Sequence, residues 1–395
     1  MRIGQTIYLD HQATTPIESK VLKAMLPYFE ESFGNPHSAD HVLGWAAARA
    51  VDESAAKVAS LIGADRDEVI FTSGATEANN LAIMGLARRA AGGKRRRILC
   101  SAIEHKCVLA AAHALKDQLG YQVDLLPVDY EGRIEMQRLA DALDENVLLV
   151  SIIAANNEIG TIQNVEEISR MVDSVGAVLH CDAAQAPCAM ELQSFGQFVH
   201  LLSLSAHKMY GPKGIGALFV RRELHHRIEP IIYGGGQQGN LRSGTVPTAL
   251  CVGMGAAADL LKGENAAKER QAVRGRRDRF VEGLSELRWP IKTNGPHGSD
   301  RHPSNANIRF EGFSATDILA ALQPRLAAST GSACTSGTPE PSHVLRAIGL
   351  SAQDAGESIR FSLGRHTTTS DVDEAVSLIA ATLSELSRAG LMRTA

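Results

Sequence analysis

The chain predicts an α/β protein with a central, mostly parallel sheet and a second, smaller α/β region. Helix-periodic segments alternate with short apolar runs through most of the first 260 residues. Those runs are apolar at successive positions rather than at every other one, as strands buried on both faces are. Length adds the second region. At 395 residues, 44% of them apolar, the chain exceeds what one hydrophobic core usually supports.

Taken in order, residues 51–62 read as helix, 68–72 as strand, 76–89 as helix, 97–101 as strand and 105–119 as helix. Short apolar strands follow at 147–153, 177–181, 201–205 and 216–220. After Pro247 an Ala-rich helix leads into a basic amphipathic segment around 270–287. Strands at 305–310, 327–330 and 358–362 then alternate with helices at 314–322, 342–348 and 370–388. The division expected is a large domain over residues 16–261 and a small one made of 1–15 plus 262–395.

A formal net charge of −4 gives no global attraction to nucleic acid or to an anionic membrane, so neither is expected as a direct partner. The start, MRIGQTIYLDHQATTP, lacks a signal-peptide apolar core, and no apolar run approaches the roughly 18 residues of a span. A cytoplasmic protein is expected. Its six cysteines form no CxxC pair, so reduced thiols and no metal site are expected.

Three segments point to chemistry: HCDAAQ at 180–185, SAHKMYGPKG at 205–214 and GSACTSG at 331–337. Lys208 follows the apolar run LLSLS and precedes GPKGIG, where glycines and a proline force tight turns. In such a partly buried place the ammonium form is disfavoured and the amine becomes a Schiff-base nucleophile; the ordinary alternative is a solvated structural lysine. Asp182 ends the strand AVLHC at the edge where α/β sheets bind ligands, and it suits a protonated pyridine nitrogen; otherwise it caps a helix. Gln185, one turn on, can meet a phenolic oxygen or be a surface amide.

FTSGATEANN at 71–80 supplies fixed donors for a phosphate. A strand ends at Ser73 and Gly74, and Ala75 and Thr76 open a helix whose free N–H groups face an anion. Thr76 and Glu77 could equally be plain helix-start residues. Ser205 and His207 flank the lysine as further donors, and no dinucleotide or Walker glycine pattern competes. His105 follows a strand end and could stack on a flat ring, exchange protons or cap its helix. Asn157, in NNEIG, could bind a carboxylate or phenolate oxygen or belong to a turn. Arg360, in the apolar strand SIRFS, could clamp a substrate carboxylate or form an internal salt bridge.

Cys334 stands apart from the other cysteines. Cys100, Cys181 and Cys251 sit in apolar or helical sequence, and Cys107 and Cys188 are ambiguous. Cys334 lies among Gly, Ser, Ala and Thr, a run too polar for a core, as a thiol nucleophile requires. An amine, a ring-binding acid and a separate thiol together imply pyridoxal 5′-phosphate chemistry on a sulfur-containing substrate.

These residues carry a family likeness. LDHQATTP, FGNPHS, FTSGATEANNLAI, EHKCVL, NNEIG, HCDAAQ, SAHKMYGPKGIGAL, RSGT, GSACTSG, EPSHVLRAIGL and SIRFSLGR occur in family order along nearly the whole chain. The chain resembles the cysteine desulfurases, in particular the NifS/IscS-like class with a long cysteine loop. The resemblance implies a fold-type I pyridoxal 5′-phosphate homodimer that converts L-cysteine to L-alanine and leaves a persulfide on Cys334 for a sulfur-acceptor protein. It implies Lys208 as the covalent anchor of the cofactor, Asp182 and Gln185 on its ring, and His105 stacked above. Gly74, Ala75, Thr76, Ser205 and His207 would hold phosphate, joined by Thr245 of the other subunit. Asn157 and Arg360 would position the substrate.

A selenocysteine lyase or another fold-type I enzyme would share the lysine and the acid. A non-catalytic sulfur carrier would need Cys334 alone. Three features depart from the family pattern: AANNEIG lacks a histidine, His11 and Gln12 are unusual, and LSRAGLMRTA ends without an extended docking tail. The last suggests a specialised acceptor, in tRNA thiolation or DNA phosphorothioation. The basic run Lys94 to Arg97 reads as a solvated loop in preference to a partner patch.

Overall fold

The structure is a computed structural model and describes residues 1–331 and 341–392. Cys334 lies outside the described residues.

The central sheet has seven strands: β1 (Val69–Thr72), β2 (Arg97–Ser101), β3 (Gln122–Leu126), β4 (Val147–Ile153), β5 (Val178–Asp182), β6 (Leu201–Ser205) and β7 (Gly216–Val220). Their order is β1-β7-β6-β5-β4-β2-β3. Pairings among β6, β5, β4, β2 and β3 are parallel, whereas β7 runs antiparallel to both β1 and β6. Six of the seven strands bury both faces because their side chains alternate between two apolar layers, while the edge strand β3 leaves Leu125 exposed. Phe71, Leu99, Leu202 and Phe219 join one core, and Ile70, Ile98, Leu201 and Leu218 the other. Helices α1 (Val42–Ile62), α2 (Ala75–Arg89), α3 (Lys106–Leu119), α4 (Val165–Ser174) and α5 (Thr248–Asp259) cover these layers.

A separate apolar cluster joins Ile7 and Leu9 to residues from Val273 onward, including Phe280, Phe310, Phe361 and Leu383. It lies between helices α6 (Gly263–Ser285) and α8 (Thr369–Arg388) and the antiparallel strands β8 (Ile291–Asn294), β9 (Asn305–Phe310) and β10 (Ser358–Ser362), with the short α7 (His343–Ala347) between β9 and β10 in sequence. No helix of the described residues is long and apolar enough to cross a membrane.

Several boundaries differ from the sequence pattern. Helix α1 starts nine residues before the expected 51, since its first turns leave Val42, Leu43 and Trp45 exposed and so carry no inward stripe. The strand expected at 327–330 shrinks to Leu326–Ala327, which pairs with Thr6–Tyr8. The run Lys94 to Arg97 is not the solvated loop expected. Arg95 donates to the carbonyls of Val147 and Val175, Arg96 to that of Leu119, and Arg97 pairs with Asp124 and Asp144. These guanidiniums satisfy carbonyls that end neighbouring elements at the edge of the sheet remote from the strand C-termini.

Candidate active site

A cavity of about 490 Å³ opens beyond the carboxyl ends of the parallel strands, the place where such sheets bind ligands. Its lining includes Gly74, Ala75, Thr76, His105, Asn157, Asp182, Gln185, Ser205, His207, Lys208 and Arg360. The fold thus brings together every described site residue expected from the sequence except Thr245, which is exposed and does not line the cavity.

Asp182 is the last residue of β5, 2% exposed. Its carboxylate accepts hydrogen bonds from the Asn79 amide at 2.8 Å and from the Ala184 backbone N–H at 3.0 Å. Lys208 ends the helical turn after β6, and its Nζ donates to the carbonyl oxygens of Gln12 at 2.5 Å and Ala13 at 2.7 Å. Gln185 is 5% exposed and donates to the same Gln12 carbonyl at 2.9 Å. Two neutral carbonyls therefore hold the amine, and the Gln185 amide shares one of them.

His105 is the N-cap of α3. Its Nδ1 accepts from the Cys107 N–H at 3.2 Å, an orientation that sets its ring. Burial holds the imidazole pKa below its ordinary value, with Asp182 opposing and Lys208 and Lys106 adding to the drop. The ring is neutral at neutral pH. His207 contacts Thr14 Oγ1 at 3.1 Å, and burial, Lys208 and Lys213 bring its pKa down to about 4.

The opposite wall is built for an anion. Gly74 is the N-cap of α2 with φ +153°, a Cβ placed there would meet nothing within 4 Å, and Gly74, Ala75 and Thr76 line the cavity where α2 begins. Gly216 permits the approach behind it, since a Cβ there would lie 2.6 Å from Gly74 backbone atoms. Glu77 accepts from the Ser73 N–H at 2.8 Å and from Arg242 Nε at 2.8 Å. Burial raises its pKa, but these bonds prevail and hold it below the ordinary value.

Arg360, on β10, is 4% exposed. It donates to Asn157 O at 2.9 Å, Ser329 Oγ at 2.8 Å and Asp10 Oδ1 at 2.7 Å, while its Nε has no hydrogen-bond partner among the described residues. It is both ion-paired and left with a donor at the cavity wall. The five described cysteines are free, and burial pushes every one of their thiols up: Cys107 and Cys188 to about 12, and Cys100, Cys181 and Cys251 further. None is a ready thiolate. Among the described residues no group of three or more His, Cys, Asp or Glu could hold a metal.

Sequence reasoning missed Gln12, Ala13 and Asn79. LDHQATTP carried the signal for the first two, because a polar run directly after an apolar strand has backbone carbonyls free for a ligand or side chain. Asn79 is a fully buried amide on an otherwise apolar helix face, which demands a partner. The donor set fits pyridoxal 5′-phosphate: an amine for its aldehyde, a buried carboxylate for its ring nitrogen, and an open helix N-terminus for its phosphate.

The class-V aminotransferase family model matches residues 7–375. The curated relatives include the cysteine desulfurase IscS of Rickettsia akari, 44% identical over 382 residues, or 96% of this chain and 92% of that protein. IscS of Rickettsia prowazekii is also 44% identical, over 97% of this chain and 92% of its own. Among solved structures, a NifS-like protein covers 98% of this chain and 100% of its own at TM-score 0.89 and 32% identity. SspA in complex with cysteine matches at TM-score 0.79 and 35% identity, covering 91% and 99%. DndA from Streptomyces lividans does so at 0.75 and 36%, covering 92% and 99%. With the fold, the cavity and these likenesses in agreement, the chain belongs to the class-V aminotransferase family and, within it, is a pyridoxal 5′-phosphate-dependent cysteine desulfurase of the IscS/NifS-like group.

Proposed function

We propose that Lys208 anchors the cofactor and moves the substrate's α-proton, and that Cys334 receives the sulfur of L-cysteine as a persulfide destined for an acceptor protein. The observation that carries this reading is that one cavity is lined by the Lys208 amine, the Asp182 carboxylate, the His105 ring and the Arg360 guanidinium.

When bound, pyridoxal 5′-phosphate supplies an electron sink for carbanion chemistry at the substrate's Cα. Asp182 would meet its ring nitrogen, Gln185 its phenolic oxygen, and His105 would stack on the ring. The N–H groups of Gly74, Ala75 and Thr76, with Ser205 and His207, would hold its phosphate, joined by Thr245 of a second subunit. Arg360 and Asn157 orient the substrate carboxylate. Lys208, held by the Gln12 and Ala13 carbonyls, would take the substrate's α-proton and return it to the substrate. Neutral His105 can accept the substrate thiol proton or pass one on. The Cys334 thiolate attacks the substrate sulfur: an S–S bond forms, the Cβ–S bond breaks with its electron pair going to carbon, and a proton on that carbon completes alanine. The high thiol pKa values of the other five cysteines favour Cys334 for this step.

The same reading takes residues 16–261 as the cofactor-holding unit and 1–15 plus 262–395 as the unit bearing the thiol. Five free cysteines among the described residues suit a reducing, cytoplasmic setting. The test pairs two variants. Lys208→Ala should lose turnover and the borohydride-trapped cofactor peptide. Cys334→Ser should keep the cofactor's absorbance and bind L-cysteine, yet form no persulfide. Trapping on another lysine, or persulfide on the serine variant, overturns the respective assignment.

A further inference from the structure

The end of α2 proposed for the phosphate carries a carboxylate of its own. Glu77 stands in the first turn of that helix and lines the cavity together with Gly74, Ala75 and Thr76. Its Oε2 accepts from the Ser73 N–H at 2.8 Å, and its side chain is only 10% exposed. Burial pushes its pKa up, yet the hydrogen bonds from Arg242 and Ser73 prevail and keep it below the ordinary value, so it is charged at neutral pH. A helix N-terminus attracts an anion, but a fixed charge of the same sign beside it works against a phosphate.

Arg242 answers that charge. Its Nε donates to Glu77 Oε1 at 2.8 Å and its Nη2 to Oε2 at 3.3 Å, so one planar fork meets both carboxylate oxygens. Among the described residues neither partner has another ion pair. The segment that carries Arg242 is docked by other bonds as well. Gln238, four residues earlier, accepts from the Phe71 N–H at 2.7 Å and donates to the Phe71 carbonyl at 2.9 Å, along the outer edge of β1. Gln237 accepts from the Gly244 N–H at 2.8 Å. The guanidinium is therefore not the sole tie between this segment and the sheet, and what it alone supplies is a positive charge on Glu77.

We infer that Arg242 is a positioning residue for the cofactor's phosphate and acts through Glu77: it holds and neutralises a carboxylate that would otherwise compete with the phosphate for the start of α2. The inference rests on the reading of Gly74, Ala75 and Thr76 as the phosphate cradle. It makes the arginine necessary only while the carboxylate is there. With an amide in place of Glu77 the helix end has no competing charge, and the guanidinium has nothing to cancel.

The experiment strips cofactor from the purified full-length enzyme and follows its return by absorbance. Each protein is titrated with pyridoxal 5′-phosphate and, separately, with pyridoxal, which lacks the phosphate. Arg242→Gln should bind the phosphorylated form about tenfold to about a hundredfold more weakly, and pyridoxal within about threefold of the parent. Adding Glu77→Gln to Arg242→Gln should bring the phosphorylated form back to within about threefold of the parent, a recovery that a merely structural arginine would not allow. Glu77→Gln alone should bind it at least as tightly as the parent, and serves if Arg242→Gln does not fold. Thr76→Asp, which puts a carboxylate into the cradle itself, should weaken the phosphorylated form and spare pyridoxal. With Thr76→Asp behaving so, any of four results overturns the inference: parent-like binding in Arg242→Gln, an equal loss of pyridoxal there, a double variant as weak as Arg242→Gln, or weaker binding in Glu77→Gln. Parent-like binding of the phosphorylated form in Thr76→Asp overturns the cradle reading and this inference with it.

Discussion

Asn79 and Asp182 come from different layers of the fold, helix α2 and strand β5, and meet at 2.8 Å through the Asn79 amide and Asp182 Oδ2. The same amide nitrogen lies 3.2 Å from Cys107 Sγ. Asn79 is wholly buried, so its donor keeps the acid aimed where water cannot.

Asn79→Ala should therefore weaken cofactor binding. A hydrogen bond to a charged group contributes about 1.5–3 kcal/mol, which converts to roughly tenfold to a hundredfold in affinity. Titration of cofactor-stripped protein, followed by absorbance, checks this. Unchanged affinity would show that Asp182 needs no such support.

Arg360→Lys keeps the charge but loses the planar fork that reaches Asn157 O, Ser329 Oγ and Asp10 at once. Its kcat/KM for L-cysteine should fall at least about tenfold, mostly through KM, with the cofactor spectrum preserved. Steady-state alanine production measures it. A change in kcat alone would argue against carboxylate binding.

Thr245 is exposed in the single chain, close to Arg242 in sequence, and that arginine pairs with Glu77 at the start of α2. Lys208→Ala and Thr245→Glu subunits should each be nearly inactive as homodimers. Mixed, they should regain activity, because one site then has its own Lys208 and a normal Thr245 from the other subunit. No recovery on mixing would place Thr245 in its own subunit's site, and a fully active Thr245→Glu homodimer would place it outside both.

Acid should destabilise the fold through buried histidines. His180 bridges Ser151 Oγ at 2.8 Å and Ser203 Oγ at 3.1 Å, and burial lowers its pKa to about 4, as it does for His11 and His302. An unfolded histidine titrates near 6.5, so between about 6.5 and 4 the unfolded chain binds more protons and stability falls as pH falls. Glu104 and Glu158, with raised carboxyl pKa values, oppose this slope. His180→Gln should be less stable at pH 8 but lose less on acidification, by up to about 1.4 kcal/mol per pH unit across that window. Thermal melts at stepped pH follow it. An unchanged slope would mean that His180 titrates normally in the fold.

What the sequence made legible were residues whose local pattern already implies a place. Lys208, Asp182, His105 and Thr76 each follow a short apolar run, and such runs end where a parallel sheet opens. Helix boundaries were readable where an inward stripe existed, as in α8, and not at the exposed start of α1. The ion pair of Arg360 with Asp10 joins residues 350 positions apart, and no local pattern reports such a partner. Arg95 to Arg97 looked like a solvated run because the carbonyls they satisfy belong to residues 119, 142, 147 and 175, which only folding gathers.

Lys208 is held by carbonyls of residues 12 and 13, and Gln12 is held in turn by residues 293 and 350 positions further along the chain. The Gln12 N–H donates to Ser362 Oγ at 2.9 Å, and the Gln12 side chain accepts from Asn305 at 2.7 Å. A nascent chain that ends before residue 362 lacks the Ser362 hold, however completely its central sheet has formed. Domains fold as their segments are synthesised, so the Ser362 hold on this cradle closes only once residue 362 has been made. Premature termination would then yield a folded sheet with a loosely held lysine, a species that pulse-labelled nascent chains probed with a carbonyl reagent should separate from the finished protein.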